Sequence, residues 1–218
     1  MDIRLRGPLH RSIVVFDIAG YGRLDNRAQV RARETLHTVV RRAFRAAGVP
    51  WWRLVVEDRG DGLILLVPPS VSKVDLLDPL VQLLVFGLGR VPASSRVRLR
   101  MAVHAGDLVR DPYGWVGTDL NTACRLVDSP ALYRAQRQSP AADLVVIVSD
   151  DVHRAVVRHG YKGLRTADYR PVRVVRKEVD ERAWVHVPAT AAPYSAGRAA
   201  VPSPRTHASD AANPQLAE

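Results

Sequence analysis

Two aspartates sit where a chain can hold carboxylates still. Asp17 ends an apolar run, Ser12-Ile13-Val14-Val15-Phe16-Asp17, and Gly20-Tyr21 follow it. Asp61 stands between Gly60 and Gly62, at the turn joining Val55-Val56 to Leu63-Ile64-Leu65-Leu66-Val67. Val, Ile and Leu fill both arms of that turn, the pattern of a hairpin with a tight acidic tip. Carboxylates at two neighbouring strand ends can share hard divalent cations such as Mg²⁺ or Mn²⁺. Farther along, Asn121 and Arg125 are four residues apart. On a helix that spacing projects both from one face.

The elements that must position these residues follow in order. The strand at 12–17 leads through a turn into a helix of roughly twenty residues, with apolar positions Val30, Leu36, Val39, Val40, Phe44 and Ala47. Gly48-Val49-Pro50 ends it. After the Asp61 hairpin, Pro68-Pro69 stops the second arm and a helix over 73–88 is expected. The next strand alternates Val97, Leu99, Met101 and Val103 against Arg96, Arg98 and Arg100. A loop is expected over 107–117, then a helix from about Asp119. A strand at 144–148 and a short helix over 150–159 with Ser149 as N-cap come next. Strands at 172–176 and 183–187 close the order. The expected architecture is α+β, with helices on one face of a mostly antiparallel sheet.

The composition narrows the function classes. One cysteine, Cys124, excludes an intrachain disulfide and a cysteine metal cluster, and fits a reducing, cytoplasmic setting. No apolar run is long enough for a signal peptide or membrane span, so no membrane partner is expected. The net charge is +10, almost all of it arginine. Those arginines are scattered, without an aromatic stacking platform, so nucleic acid is not the expected partner. Domain boundaries are read as an N-terminal extension at 1–11, one folded domain at 12–188 and a disordered tail at 189–218, rich in Ala, Pro, Ser and Thr.

Four segments, taken together, resemble the signatures of class III nucleotide cyclases. They are Phe16-Asp17-Ile18-Ala19-Gly20-Tyr21, Gly60-Asp61-Gly62, Arg100-Met101-Ala102-Val103-His104-Ala105-Gly106, and Gly117-Thr118-Asp119-Leu120-Asn121-Thr122-Ala123-Cys124-Arg125-Leu126. They occur in the family's order over roughly residues 12–187. The resemblance implies a ferredoxin-like cyclase fold. It also implies conversion of a nucleoside triphosphate to a 3′,5′-cyclic nucleotide and pyrophosphate with two divalent metal ions, Mn or Mg. Asp17 and Asp61 match the metal-binding aspartates, with the Ile18 carbonyl as a further ligand. Arg125 matches the arginine that stabilises the transition state, Asn121 the residue orienting the ribose, and Lys177 the lysine on the terminal phosphates. The resemblance further implies a homodimer in which the aspartates of one subunit face Asn121 and Arg125 of the other.

The base pocket departs from the family. Glu57 stands where adenylate cyclases carry lysine, and Gly114 where they carry aspartate. A carboxylate only accepts hydrogen bonds. Glu57 therefore suits guanine or uracil, whose ring N–H groups donate, and opposes adenine N1 and cytosine N3. Arg59 either pairs with Glu57 or donates to a pyrimidine carbonyl. The chain is similar to stand-alone pyrimidine cyclases of bacterial phage defence, whose cyclic UMP or cyclic CMP activates a separate effector protein. Guanylate cyclase and an inactive cyclase-fold binding module are the alternatives. Ordinary structural uses also exist: Asp17 and Asp61 as caps or turn residues, Arg125 paired with Asp128 or Asp119, Lys177 as a solvated lysine, His104 as a packed histidine.

Overall fold

The structure, a computed structural model, describes residues 7–189. The terminal stretches, including nearly all of the 189–218 tail, lie outside the described residues. The described strands are β1 (Leu9–Ile18), β2 (Val55–Asp58), β3 (Gly62–Val67), β4 (Leu99–Asp111), β5 (Gly114–Val116), β6 (Leu144–Ser149), β7 (Tyr169–Arg176) and β8 (Val179–His186). They form an 8-stranded sheet in the order β2-β3-β1-β4-β6-β8-β7, with β5 pairing β4 off this path. Every pairing is antiparallel except β4 with β6. The α+β expectation holds.

Helices cover both faces rather than one. Alternation along β1 shows why. Val14, Phe16 and Ile18 join one core, with α1 (Asn26–Ala46), α2 (Lys73–Leu77) and α3 (Leu80–Gly89). Ile13 and Val15 join a second core, with α4 (Thr118–Val127) and α5 (Pro130–Gln138). Strands apolar on both sides need cover on both sides. Asp17 continues the odd series and so points to the α4/α5 face.

Several boundaries differ from expectation for plain reasons. Strand β1 begins at Leu9 rather than Ser12, because β4 continues to Asp111 and pairs it to the end: Leu9 faces Leu108. The 73–88 helix is two helices, because Pro79 lacks the N–H and the space to continue α2. Val30 is 56% exposed and Ala32 takes its place in the buried stripe of α1. The 107–117 stretch is a hairpin, its tip set by Asp111 accepting from the Tyr113 and Gly114 N–H groups at 2.8 Å each. Helix α6 (Asp150–Ala155) ends before a short 3₁₀ turn at Val157–His159. Helix α5 is unanticipated, although Ser129 as N-cap and Pro130 at its first turn are start signals. Its presence explains the arginine face of β4. Arg98 is not solvated but donates to the carbonyls of Gln136, Ser139 and Ala142 at 2.7–3.0 Å.

Candidate active site

The Asp61 hairpin is anchored from two sides. The Asp61 carbonyl accepts from the Ile18 N–H at 2.9 Å, tying the hairpin tip to the end of β1. Gly62 faces Asp17 across the β1–β3 ladder, and a side chain there would place its Cβ 2.1 Å from the Phe16 carbonyl oxygen. On the outer shoulder, Asp58 accepts from Arg33 at 2.8 Å and from the Gly60 N–H at 2.7 Å, and contacts His37 Nε2 at 2.7 Å. Partial burial pushes its carboxyl up, but these partners together outweigh it and hold it at about 2. Helix α1 therefore fixes the hairpin on which Asp61 rides.

The register sets Asp17 opposite Gly62, beside Asp61 at the adjoining strand end, and Asp17 feels the charge of Asp61. Burial is the largest influence on Asp17 and lifts its carboxyl to about 6, with Asp61 adding to the rise and Arg100 opposing it. Because the folded value lies above the unfolded one, the protonated form stabilises the fold. That contribution is present at low pH and is lost as pH rises through about 6. Thermal melts of metal-free protein test this. Asp17→Asn should gain on the wild type as pH increases from about 4 to about 6, and the gap should then level off. A gap independent of pH would contradict it.

Among the described residues, no three His, Cys, Asp or Glu side chains converge to hold a metal ion. Two carboxylates and the Ile18 carbonyl still fit Mg²⁺ or Mn²⁺. Such ions are commonly held by one or two carboxylates, with substrate phosphates and water completing the shell. Asp17 is already engaged, however. The Arg100 Nε donates to it at 2.6 Å, and an Arg100 terminal nitrogen makes a second contact. Arg100 lay within the recognised segment of β4, yet its pairing with Asp17 was not anticipated. The strand register puts the two directly opposite.

The remaining candidates gather on the same face. Glu57 pairs with Ile64, a residue of the α4/α5 core, so it points to that side. A Cβ on Gly114 would sit 4.0 Å from Glu57 Oε1, so the hairpin of β4 and β5 leaves open space beside the carboxylate. Among the described residues no ion pair joins Arg59 to Glu57. Instead both, with Arg125, act electrostatically on Cys124 of α4. Cys124 is half-buried, and burial pushes its thiol up. It lines this region and was missed as a candidate, because a single small residue inside a helix carries no pattern.

Helix α4 presents Asn121 exposed and Arg125 half-buried. Its start is set by Asp119, which accepts from the Asp107 N–H at 2.7 Å and meets His104 Nε2 at 3.2 Å. Gly106 makes room for this, since a Cβ there would lie 2.0 Å from the Asp119 carboxyl. His104 is thus a packed histidine. Arg125 pairs with neither Asp128 nor Asp119 but with Glu178, at 3.2 Å. Glu178 follows Lys177 in the two-residue turn between β7 and β8, where Lys177 has φ 52°. Arg125 and Lys177 are therefore brought to one place.

No protein-family model matches the chain, and no curated protein does. Solved structures do match. An adenylate/guanylate cyclase/hydrolase from Silicibacter pomeroyi is 20% identical, with a TM-score of 0.58, over 83% of this chain and 98% of that one. The guanylyl cyclase Cya2 is 14% identical, with a TM-score of 0.60, over 87% and 98%. The guanylate cyclase domain of RhGC from Catenaria anguillulae, in complex with GTP, is 13% identical, with a TM-score of 0.57, over 84% and 98%. The fold is that of adenylate and guanylate cyclase catalytic domains. Among the described residues no helix is long and apolar enough to cross a membrane.

Proposed function

We propose that this chain is a nucleotide cyclase, in which the 3′-oxygen of a nucleoside triphosphate attacks its own α-phosphorus and pyrophosphate leaves. The observation that carries the reading is the meeting of Asp17 and Asp61 at tied strand ends, on the face where α4 presents Asn121 and Arg125. Bound at Asp17, Asp61 and the Ile18 carbonyl, two divalent ions (Mn or Mg) would supply acidification of the hydroxyl and charge neutralisation of the triphosphate. The protein's own groups do the rest. Arg125 donates two hydrogen bonds to the charge growing on the α-phosphoryl oxygens. Asn121 orients the ribose, and Lys177 holds the terminal phosphates. The two half-sets come from different subunits of a homodimer, giving two equivalent sites.

The base is a pyrimidine, uracil ahead of cytosine. Glu57 accepts the uracil N3–H, and Arg59, free of Glu57, donates to a ring carbonyl. The product is then cyclic UMP, a cytoplasmic second messenger that activates a separate effector protein in antiviral defence. Guanylate cyclase is the second reading, favoured by the same acceptor at Glu57 and by the GTP-bound fold relative. An inactive module that only binds nucleotide is the third. Turnover of UTP, CTP, GTP and ATP by wild type and Glu57→Gln tests the base assignment. Glutamine can both donate and accept, so the preference for UTP over CTP should shrink about ten-fold. An unchanged preference would remove Glu57 from the base pocket.

A further inference from the structure

Around Arg100 the sheet and α5 build a chain of contacts more elaborate than one ion pair requires. Its guanidinium holds Asp17 through two nitrogens, and its Nη1 donates to Gln136 Oε1 at 2.8 Å. It also lies 4.2 Å from the centre of the Tyr133 ring. Tyr133 in turn donates its hydroxyl to Asp128, and Arg176 of β7 holds Asp128 at 2.7 Å. Gln136 is buried, yet among the described residues its amide nitrogen has no hydrogen-bond partner. A buried unpaired donor costs free energy. The side chain keeps that cost because a guanidinium offers only donors, so Oε1 must face it.

We infer that Arg100 is a built-in counter-ion that occupies Asp17 in place of a divalent cation, and that Gln136 and Tyr133 are positioning residues holding it there. The inference rests on the reading of Asp17 as a metal ligand. Both Arg100 contacts fall on one Asp17 oxygen, Oδ2, so a cation held through that oxygen displaces Arg100, and one held through Oδ1 meets its charge at close range. Where the cation takes Oδ2, binding is an exchange in which Arg100 withdraws. Asp128 feels the charge of Arg100 across Tyr133, the residue that touches both. The strength of the α5 contacts then sets how readily the site loads. Arg100 keeps its charge throughout, so the exchange involves no proton from the guanidinium.

Mn²⁺ binding to the full chain without nucleotide, read from the electron paramagnetic resonance signal of free Mn²⁺, tests this. Arg100→Met should bind Mn²⁺ about ten-fold tighter than wild type, because the competing charge is gone. Gln136→Leu, an apolar replacement suited to a buried position, should tighten binding by a smaller factor. It should add nothing in the Arg100→Met background, because Gln136 acts through Arg100. Unchanged or weaker binding in both single variants, with binding lost in Asp17→Asn, would overturn the counter-ion assignment and leave the metal reading standing. Mn²⁺ binding unaffected by Asp17→Asn would overturn the metal reading itself.

Discussion

Asp61→Ala and Arg125→Ala homodimers should each be inactive, and mixing the two proteins should restore activity. On the proposed reading, Asp61→Ala removes one of the two carboxylates that would hold the metal ions, leaving Asp17 and the Ile18 carbonyl. Arg125→Ala removes the charged donor from the developing phosphoryl charge, and loss of one such group costs about 10²–10³ in turnover. Each variant is intact in the half that the other lacks. Random exchange of subunits makes about half of the dimers mixed, and each mixed dimer holds one intact site of two. The mixture should therefore recover about a quarter of wild-type activity. Recovery near zero, with dimers verified by light scattering, would show that Asp61 and Arg125 serve a site within one subunit. Within one subunit Arg125 pairs with Glu178 and with neither Asp17 nor Asp61, which agrees with the proposed role across an interface.

Gly62→Ala should be the most damaging single-methyl change on the site's scaffold. The added Cβ would sit 2.1 Å from the Phe16 carbonyl oxygen and 3.3 Å from the Asp17 Cα. Both neighbours are backbone, so neither can turn aside as a side chain would. Relief requires β3 to move away from β1, breaking the ladder at Asp17 and the contact between Ile18 and the Asp61 carbonyl. A loss of about 3 kcal/mol or more is expected, in the range of strongly overpacked positions. Denaturant unfolding reads the stability, and Mn²⁺ binding reads the site. Near wild-type stability with unimpaired Mn²⁺ binding would show that the hairpin tip is looser than these contacts imply. Gly22→Ala is the control, because a Cβ there meets nothing within 4 Å.

The parts of the fold that announce themselves locally were legible in the sequence. Strand β1, the β2–β3 hairpin and the single long helix between them each carry an unbroken apolar pattern and a clear stop. The Asp61 tip was legible because two glycines around a carboxylate allow few conformations. Long-range consequences were not. Alternation along β4 shows one apolar and one arginine face, and by itself it assigns the arginines to solvent. Only the presence of α5 on that side makes Arg98 and Arg100 internal partners. Helix α5 is nine residues long, and its buried face of Ala131, Leu132, Ala135 and Gln136 holds one large apolar residue, so little besides its start signals marks it. The pairing of Asp17 with Arg100 likewise depends on register between strands far apart in sequence. The place of Cys124 beside Glu57 and Arg59, and the pairing of Glu178 with Arg125, were not legible, since both depend on how α4 meets the edges of the sheet.

Identification of the product tests the central claim most directly. Purified protein, incubated with Mn²⁺ and an equimolar mixture of UTP, CTP, GTP and ATP, should yield a 3′,5′-cyclic nucleotide and pyrophosphate, resolved by mass spectrometry against authentic standards. Cyclic UMP should dominate, and Asp61→Ala should yield none. The absence of any cyclic nucleotide, under conditions in which an established cyclase turns over, would contradict the assignment of this chain as an enzyme.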